Sequence, residues 1–262
     1  MKLFSFPISF PTIRRMFLPV LGLMVMVSST SCIEILERIA LKKDGSGEYL
    51  VKMDMSQMMT MIMSFSNFGD STASEQDVAL EYSMDTMIRF ADMHDSIKQL
   101  WQHPEITKNG TIWLNMDGFS PSLIYTIALP FNSIDEVNKF SMDMSTGLSA
   151  FDTPLGSDDG EANDMFLGSS EDQYAFKPGQ LTRKASKNEG GMEDVAEEEL
   201  EMMKMMMGDA LYKVEYVLPG KVKKVNGLDY SISEDGSTVT RSFNFLELLD
   251  GKTDMGLEIN YK

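Results

Sequence analysis

Cysteine is nearly absent from this chain: Cys32 is the only one in 262 residues. No disulfide can form within the molecule, so its stability must come from packing. Histidine is almost as scarce. His94 and His103 are the only two, which leaves few bases to activate a nucleophile and few nitrogen ligands for a metal. Positive charge is also short, with 23 Lys and Arg against 40 Asp and Glu and a net charge of −17. Nucleic acid is bound by Lys and Arg that neutralise phosphates, so no nucleic-acid partner is expected. A basic membrane-surface patch is disfavoured for the same reason. Long apolar runs are missing too: Met16–Val27 falls short of the ~20 residues that a spanning helix needs.

What is present at the start has a clear order. Lys2, Arg14 and Arg15 precede the apolar run, the small residues Ser28–Ser31 follow it, and Cys32 comes next, with no acidic residue before Glu34. A basic start, a short apolar core and a small-residue tail are the pattern of an export signal. Pro19 weakens the run as a permanent helix. Ser29-Thr30-Ser31-Cys32 resembles the lipobox of bacterial lipoproteins, with Ser29 where that motif usually carries Leu. The resemblance implies cleavage before Cys32, a diacylglycerol on its sulfur and often a third chain on its amine. Two or more acyl chains anchor a protein stably, whereas one holds it marginally. Arg14-Arg15-Met16-Phe17-Leu18 also resembles part of a twin-arginine signal, but Ile13 replaces the usual Ser or Thr, so ordinary secretion is expected. The expected division is a signal peptide over 1–31 and a single domain over 32–262.

Past Cys32 the periodicity is mixed. Ile33, Ile35, Ile39 and Leu41 alternate with polar residues, Asp44-Gly45-Ser46-Gly47 makes a turn, and Tyr49, Val51, Met53 and Met55 alternate again, as in a β-hairpin. Ser56–Phe68 reads as a short Met-rich helix. Ser74 and Asp77 read as an N-cap signature for a helix from Glu75 to about Gln102, ended by Pro104. Thr111–Met116 and Leu123–Leu129 read as a strand pair, and Ser133 with Glu136 as a capping box. That box opens a helix with Ile134, Val137, Phe140 and Met144 on one stripe. Residues 147–190, rich in Gly, Ser, Asp and Glu, read as an acidic flexible insertion. Gly191–Gly208 reads as a helix, and strands around Tyr212, Tyr230, Val239 and Ile259 close the chain. The expected class is α+β: an antiparallel sheet of about eight strands carrying three or four helices, preceded by the signal helix.

Two chemistries come into question. Met53, Met55, Met58, Met59, Met61 and Met63 form one cluster, and Met202, Met203, Met205, Met206 and Met207 a second. Thioethers select Cu(I), so a copper-binding envelope protein is one alternative, although methionine is also adaptable core filler. A hydrolase is the other. Neither histidine lies near a G-x-S-x-G turn, so no catalytic residue, metal ligand or cofactor site is assigned and no enzyme is expected. The acidic Ser157–Glu161 stretch lacks the alternating ligands of a calcium loop.

The strand after Cys32, the Asp44–Gly47 turn and the strand end Met53-Asp54-Met55-Ser56 resemble envelope lipoproteins of Bacteroidetes-type bacteria. So do Tyr216–Val222, Asn226-Gly227 and Asp235-Gly236 near the C-terminus. Those proteins are in turn reminiscent of the LppM-like lipoprotein domain. The resemblance covers both ends of the mature chain. It implies a lipid-anchored place in the cell envelope, most simply the outer membrane, and carries over no active site. The expected role is structural or binding, with the membrane reached through acyl chains on Cys32 and an envelope protein, lipid or peptide as ligand.

Overall fold

The structure, a computed structural model, describes residues 33–66, 83–148, 173–184, 204, 207–249 and 253–262. Alternation at the start becomes a hairpin as expected: β1 (Glu34–Leu41) pairs antiparallel with β2 (Gly47–Asp54). In its turn the Asp44 carboxylate accepts the Ser46 N–H at 3.1 Å, and Gly45 takes a φ of 86°, a left-handed conformation that glycine adopts without steric cost. α1 (Ser56–Ser66) and β3 (Ser83–Arg89) follow, then a 3-10 turn and two one-turn helices, α2 (Asp95–Lys98) and α3 (Pro104–Thr107). β4 (Thr111–Asp117), β5 (Ser122–Phe131) and α4 (Ile134–Leu148) complete the first half. The second half supplies β6 (Gln173–Lys177), β7 (Gln180–Lys184), β8 (Leu211–Val217), β9 (Val222–Asn226) and β10 (Tyr230–Ile232). β11 (Thr238–Asn244), α5 (Phe245–Leu249) and β12 (Leu257–Tyr261) end the chain.

Among the described residues the strands form two sheets. One has eight strands in the order β10-β11-β8-β1-β2-β5-β4-β3, and the other has four in the order β6-β7-β12-β9. Every neighbouring pair is antiparallel except β1 with β8. On the outer face of that parallel pair Arg38 stands opposite Glu215, with Nη2 donating to Oε2 at 2.6 Å. The expected single antiparallel sheet of about eight strands is therefore corrected to a mostly antiparallel large sheet with a second sheet beside it. β1 already spends one edge on β2, so its other edge is free for any later strand. Connections this long allow a parallel return that a short turn forbids.

Two further expectations need correction. The helix expected over Glu75–Gln102 is replaced, where it is described, by β3 and short turns. Pro104 starts α3 rather than ending a helix, since its missing N–H costs nothing in a first turn. The insertion expected at 147–190 contains the β6–β7 hairpin. Tyr174 and Phe176 alternate with Ala175 and Lys177, and Leu181 and Arg183 with Thr182 and Lys184, around Pro178-Gly179. The signal peptide, Cys32, the Ser157–Glu161 stretch and nearly all of the helix expected over Gly191–Gly208 lie outside the described residues.

The core forms on the inner face of the large sheet. Ile35, Ile39 and Leu41 from β1, Tyr49 and Val51 from β2, and Ile127 and Leu129 from β5 are buried there. The α4 stripe of Ile134, Val137, Phe140 and Met144 is buried as its spacing requires. Phe140 packs against Phe90 at 5.8 Å and against the edge of Tyr49 at 6.3 Å between ring centres. Met55, Met58 and Met59 are buried in or beside the same core.

Gly47 has no room for a side chain. A Cβ there would lie 2.1 Å from the Ala40 carbonyl oxygen and 2.6 Å from Phe131 Cζ, and the backbone cannot yield. Gly47→Ala should cost about 1–3 kcal/mol, the usual range for overpacking, measured as a lower denaturant midpoint. The β10–β11 turn tests acid behaviour. Asp235 accepts from Ser233 Oγ, and from Ser237 Oγ at 2.7 Å and Ser237 N at 3.1 Å. These bonds, that from Ser233 first, bring its pKa down to about 2 from 3.8. A lowered pKa gives support that is complete above the unfolded value and is lost as the folded group protonates. The Ser237 amide resonance should shift in acid with a midpoint of about 2; a midpoint at the ordinary aspartate value would contradict the turn geometry.

Candidate functional site

Strict alternation along β1 puts Glu37 on the inner face with Ile35 and Ile39, where an acid is least expected. It is only 3% exposed. Its Oε1 accepts the Tyr174 hydroxyl at 2.6 Å, and its Oε2 accepts Arg183 Nη1 at 2.9 Å and the Tyr212 hydroxyl at 2.8 Å. Arg183 Nη1 also lies 3.3 Å from the Tyr216 hydroxyl, and its guanidinium sits 5.1 Å from the centre of the Tyr174 ring. Tyr212 and Tyr216 come from β8 of the large sheet, whereas Tyr174 and Arg183 come from β6 and β7 of the small one. The cluster thus ties the two sheets together. Burial is the main cause that pushes the Tyr174 and Tyr212 hydroxyls well above the usual value of 10.0. For Tyr212 the Glu37 carboxylate adds to the rise; for Tyr174 Arg183 opposes it without reversing it. Both tyrosines therefore remain donors. Sequence reasoning passed over Glu37 and Arg183, although each sits in phase with apolar neighbours two residues away.

A second buried acid, Asp143 of α4, faces the turn before α3. It accepts Gln102 N at 2.7 Å, His103 N at 3.0 Å and the Thr107 hydroxyl. His103 Nδ1 is 3.5 Å from the same carboxylate. Thr, Asp and His meet here, yet the hydroxyl donates to the carboxylate and not to the imidazole. That order ties α4 to the turn before α3 and does not activate a nucleophile. His94 lies apart, its Nδ1 accepting from Ser96 N at 3.3 Å at the start of α2.

Of the first methionine cluster, Met55, Met58 and Met59 are buried and Met53 is partly buried against the core. Of the second, Met207 packs on the core from a half-buried position and the others lie outside the described residues. Among the described residues, no group of three or more His, Cys, Asp or Glu is placed to hold a metal. A cavity lined by Tyr49, Val51, Ile127, Phe140, Ser141 and Met144 measures about 10 Å³, room for no more than one water.

The exposed apolar surface lies elsewhere, at the β3–β4 end of the large sheet. Met87 is 68% exposed, beside Trp113, with Met84 and Ile88 on the other face of β3. Phe119, 78% exposed, tips the β4–β5 turn, where the Asp117 carboxylate accepts Phe119 N and Ser120 N at 2.9 and 3.2 Å. Large exposed apolar side chains gathered in one region are the usual mark of a contact surface.

Glu37→Gln should destabilise the fold by about 3–5 kcal/mol, because it leaves the Arg183 charge buried without the Glu37 carboxylate. Replacing Glu37 and Arg183 together by methionine should cost less than either single change, and a double-mutant cycle of unfolding free energies checks this.

No family model matches the chain, and no curated protein does. A solved structure, the folded domain of the Mycobacterium tuberculosis LppM protein determined by NMR, is similar over 88% of this chain and 90% of that one. The two share 8% identity, with a TM-score of 0.37. That protein is of the kind the terminal motifs resemble.

Proposed function

We propose that the chain is a lipid-anchored protein of a bacterial cell envelope, held at the outer membrane by acyl chains on Cys32 and acting by binding rather than by catalysis. The junction at Ile33 carries the reading. An export-type sequence ends at Cys32, and the next residue is already core: Ile33 is buried, and its carbonyl accepts Leu211 N at 2.9 Å. An acyl group on Cys32 would therefore attach to the folded body with almost no tether. Among the described residues no helix is long and apolar enough to cross a membrane, so lipid is the attachment this reading supplies.

Two features support binding over catalysis. The hydrogen bonds of Glu37 and Asp143 are taken up by the protein's own groups, in settings that join elements together. Apolar side chains are instead displayed on β3, β4 and the turn at Phe119, where a protein, lipid or peptide ligand can reach them.

The intact mass of the N-terminal peptide from native membranes tests the anchor. A diacylglyceryl or triacyl Cys32 is expected, and Cys32→Ala should move the protein out of the membrane fraction. An unmodified Cys32 within a longer N-terminal peptide would sink the proposal.

A further inference from the structure

The molecule treats its sheet edges unequally. On β6, the Asn138 side chain of α4 donates from Nδ2 to the Tyr174 carbonyl at 2.9 Å and accepts the Tyr174 N–H at 2.8 Å, which closes that edge. β10, at one side of the large sheet, is three residues long, too short to template much pairing. β3, at the other side, is seven residues long and exposed along its whole length. It has no proline or lysine, and its register with β4 is unbroken from Ser83↔Asp117 to Arg89↔Thr111. Proline, lysine and a bulge are among the devices that usually blunt an edge, and β3 has none of the three; its charges are Asp85 and Arg89.

The phase of the ladder identifies the groups that face away from β4. Phe90 N donates to the Gly110 carbonyl at 3.0 Å. Hydrogen-bonded pairs alternate in an antiparallel ladder, so Ile88, Thr86 and Met84 exchange bonds with β4. The N–H and C=O groups of Arg89, Met87, Asp85 and Ser83 therefore point away from it. The side chains of Asp85, Met87 and Arg89 share the outer face with Trp113.

We infer that β3 is a homotypic docking edge: two copies of this chain pair antiparallel along it, with Met87 opposite Met87 on the two-fold axis. The register follows from charge. Centring on Met87 sets Asp85 of each copy opposite Arg89 of the other, giving two opposite-sign cross-strand pairs. It also brings the outward backbone groups of both copies into phase. Arg89 is already gripped by Asp92, with Nε to Oδ2 at 2.7 Å and Nη2 to Oδ1 at 3.0 Å, and Asp85 accepts from Trp113 Nε1. Both side chains are thus held at the edge before a partner arrives, and the guanidinium keeps further donors free. Isologous pairing of this kind closes after two copies. It does not depend on lipid at Cys32.

Cysteine scanning of the full chain in its native fraction tests the register. Antiparallel hydrogen-bonded pairs are separated by about 5.5 Å between Cα atoms, within disulfide range. Met87→Cys should therefore give an oxidised dimer with an 87–87 linked peptide. Thr86→Cys and Ile88→Cys, each about one diagonal step from its own copy, should give several-fold less. The parent chain, with Cys32 alone, controls for that residue, and protease resistance confirms folding. Adding Asp85→Lys to Met87→Cys should lower the dimer yield about tenfold, and adding Arg89→Glu as well should restore it. A peak at position 86 or 88, no dimer from folded Met87→Cys, or adducts solely to a different protein would each overturn the inference.

Discussion

Glu37 and Arg183 carry opposite charges in a place where water reaches neither, and the rest of the architecture is arranged so that this is tolerable. A buried ion pair seldom adds stability over a well-packed apolar pair. Its effect is to make alternatives worse. Two apolar sheet faces can slide by a residue with little penalty, but a carboxylate that needs Tyr174, Arg183 and Tyr212 at once allows one register. The small sheet is placed on the large one by that requirement, and the apolar packing around it follows. On the outer face, the Arg38–Glu215 contact gives the β1–β8 pair a second reference point.

Much of this was legible beforehand. The hairpin after Cys32, α1, the β4–β5 pair, the α4 stripe and the closing strands other than β9 each follow from local period and turn chemistry. The failures are also instructive. In Ser83–Arg89 the apolar residues Met84, Met87 and Ile88 fit a helical spacing as well as a strand, and an edge strand exposed on both faces has no clean alternation to reveal it. The β6–β7 hairpin was hidden because the acidic residues before it dominated the composition of its window. Glu37 and Arg183 were missed for a different reason. Their meaning depends on each other and on a contact between two sheets across 146 residues, which no local pattern encodes.

The treatment of edges links these themes. Among the described residues, Asn138 closes β6, brevity protects β10, and β3 stays open with a self-complementary charge pattern. In the inferred pairing the two-fold axis passes through Met87 normal to the sheet, so the two Ile33 ends point in opposite directions along the strands. Two anchored copies would then enter one bilayer with their sheets lying along it rather than standing on end.

The parallel pairing of β1 with β8 bears on the order of events during synthesis. β1 is the first of the described strands to be made, yet the residues that complete its second edge arrive far later, as the 177-residue separation of Arg38 and Glu215 measures. Until Leu211–Val217 emerges, the central strand of the large sheet is paired on one side only, and Glu37 lacks Tyr212. Contacts so distant in sequence slow folding, because loop closure must come before any gain from pairing. A chain with this layout stays short of its native core until most of it has been made, as the proposed export through a channel one residue at a time would require.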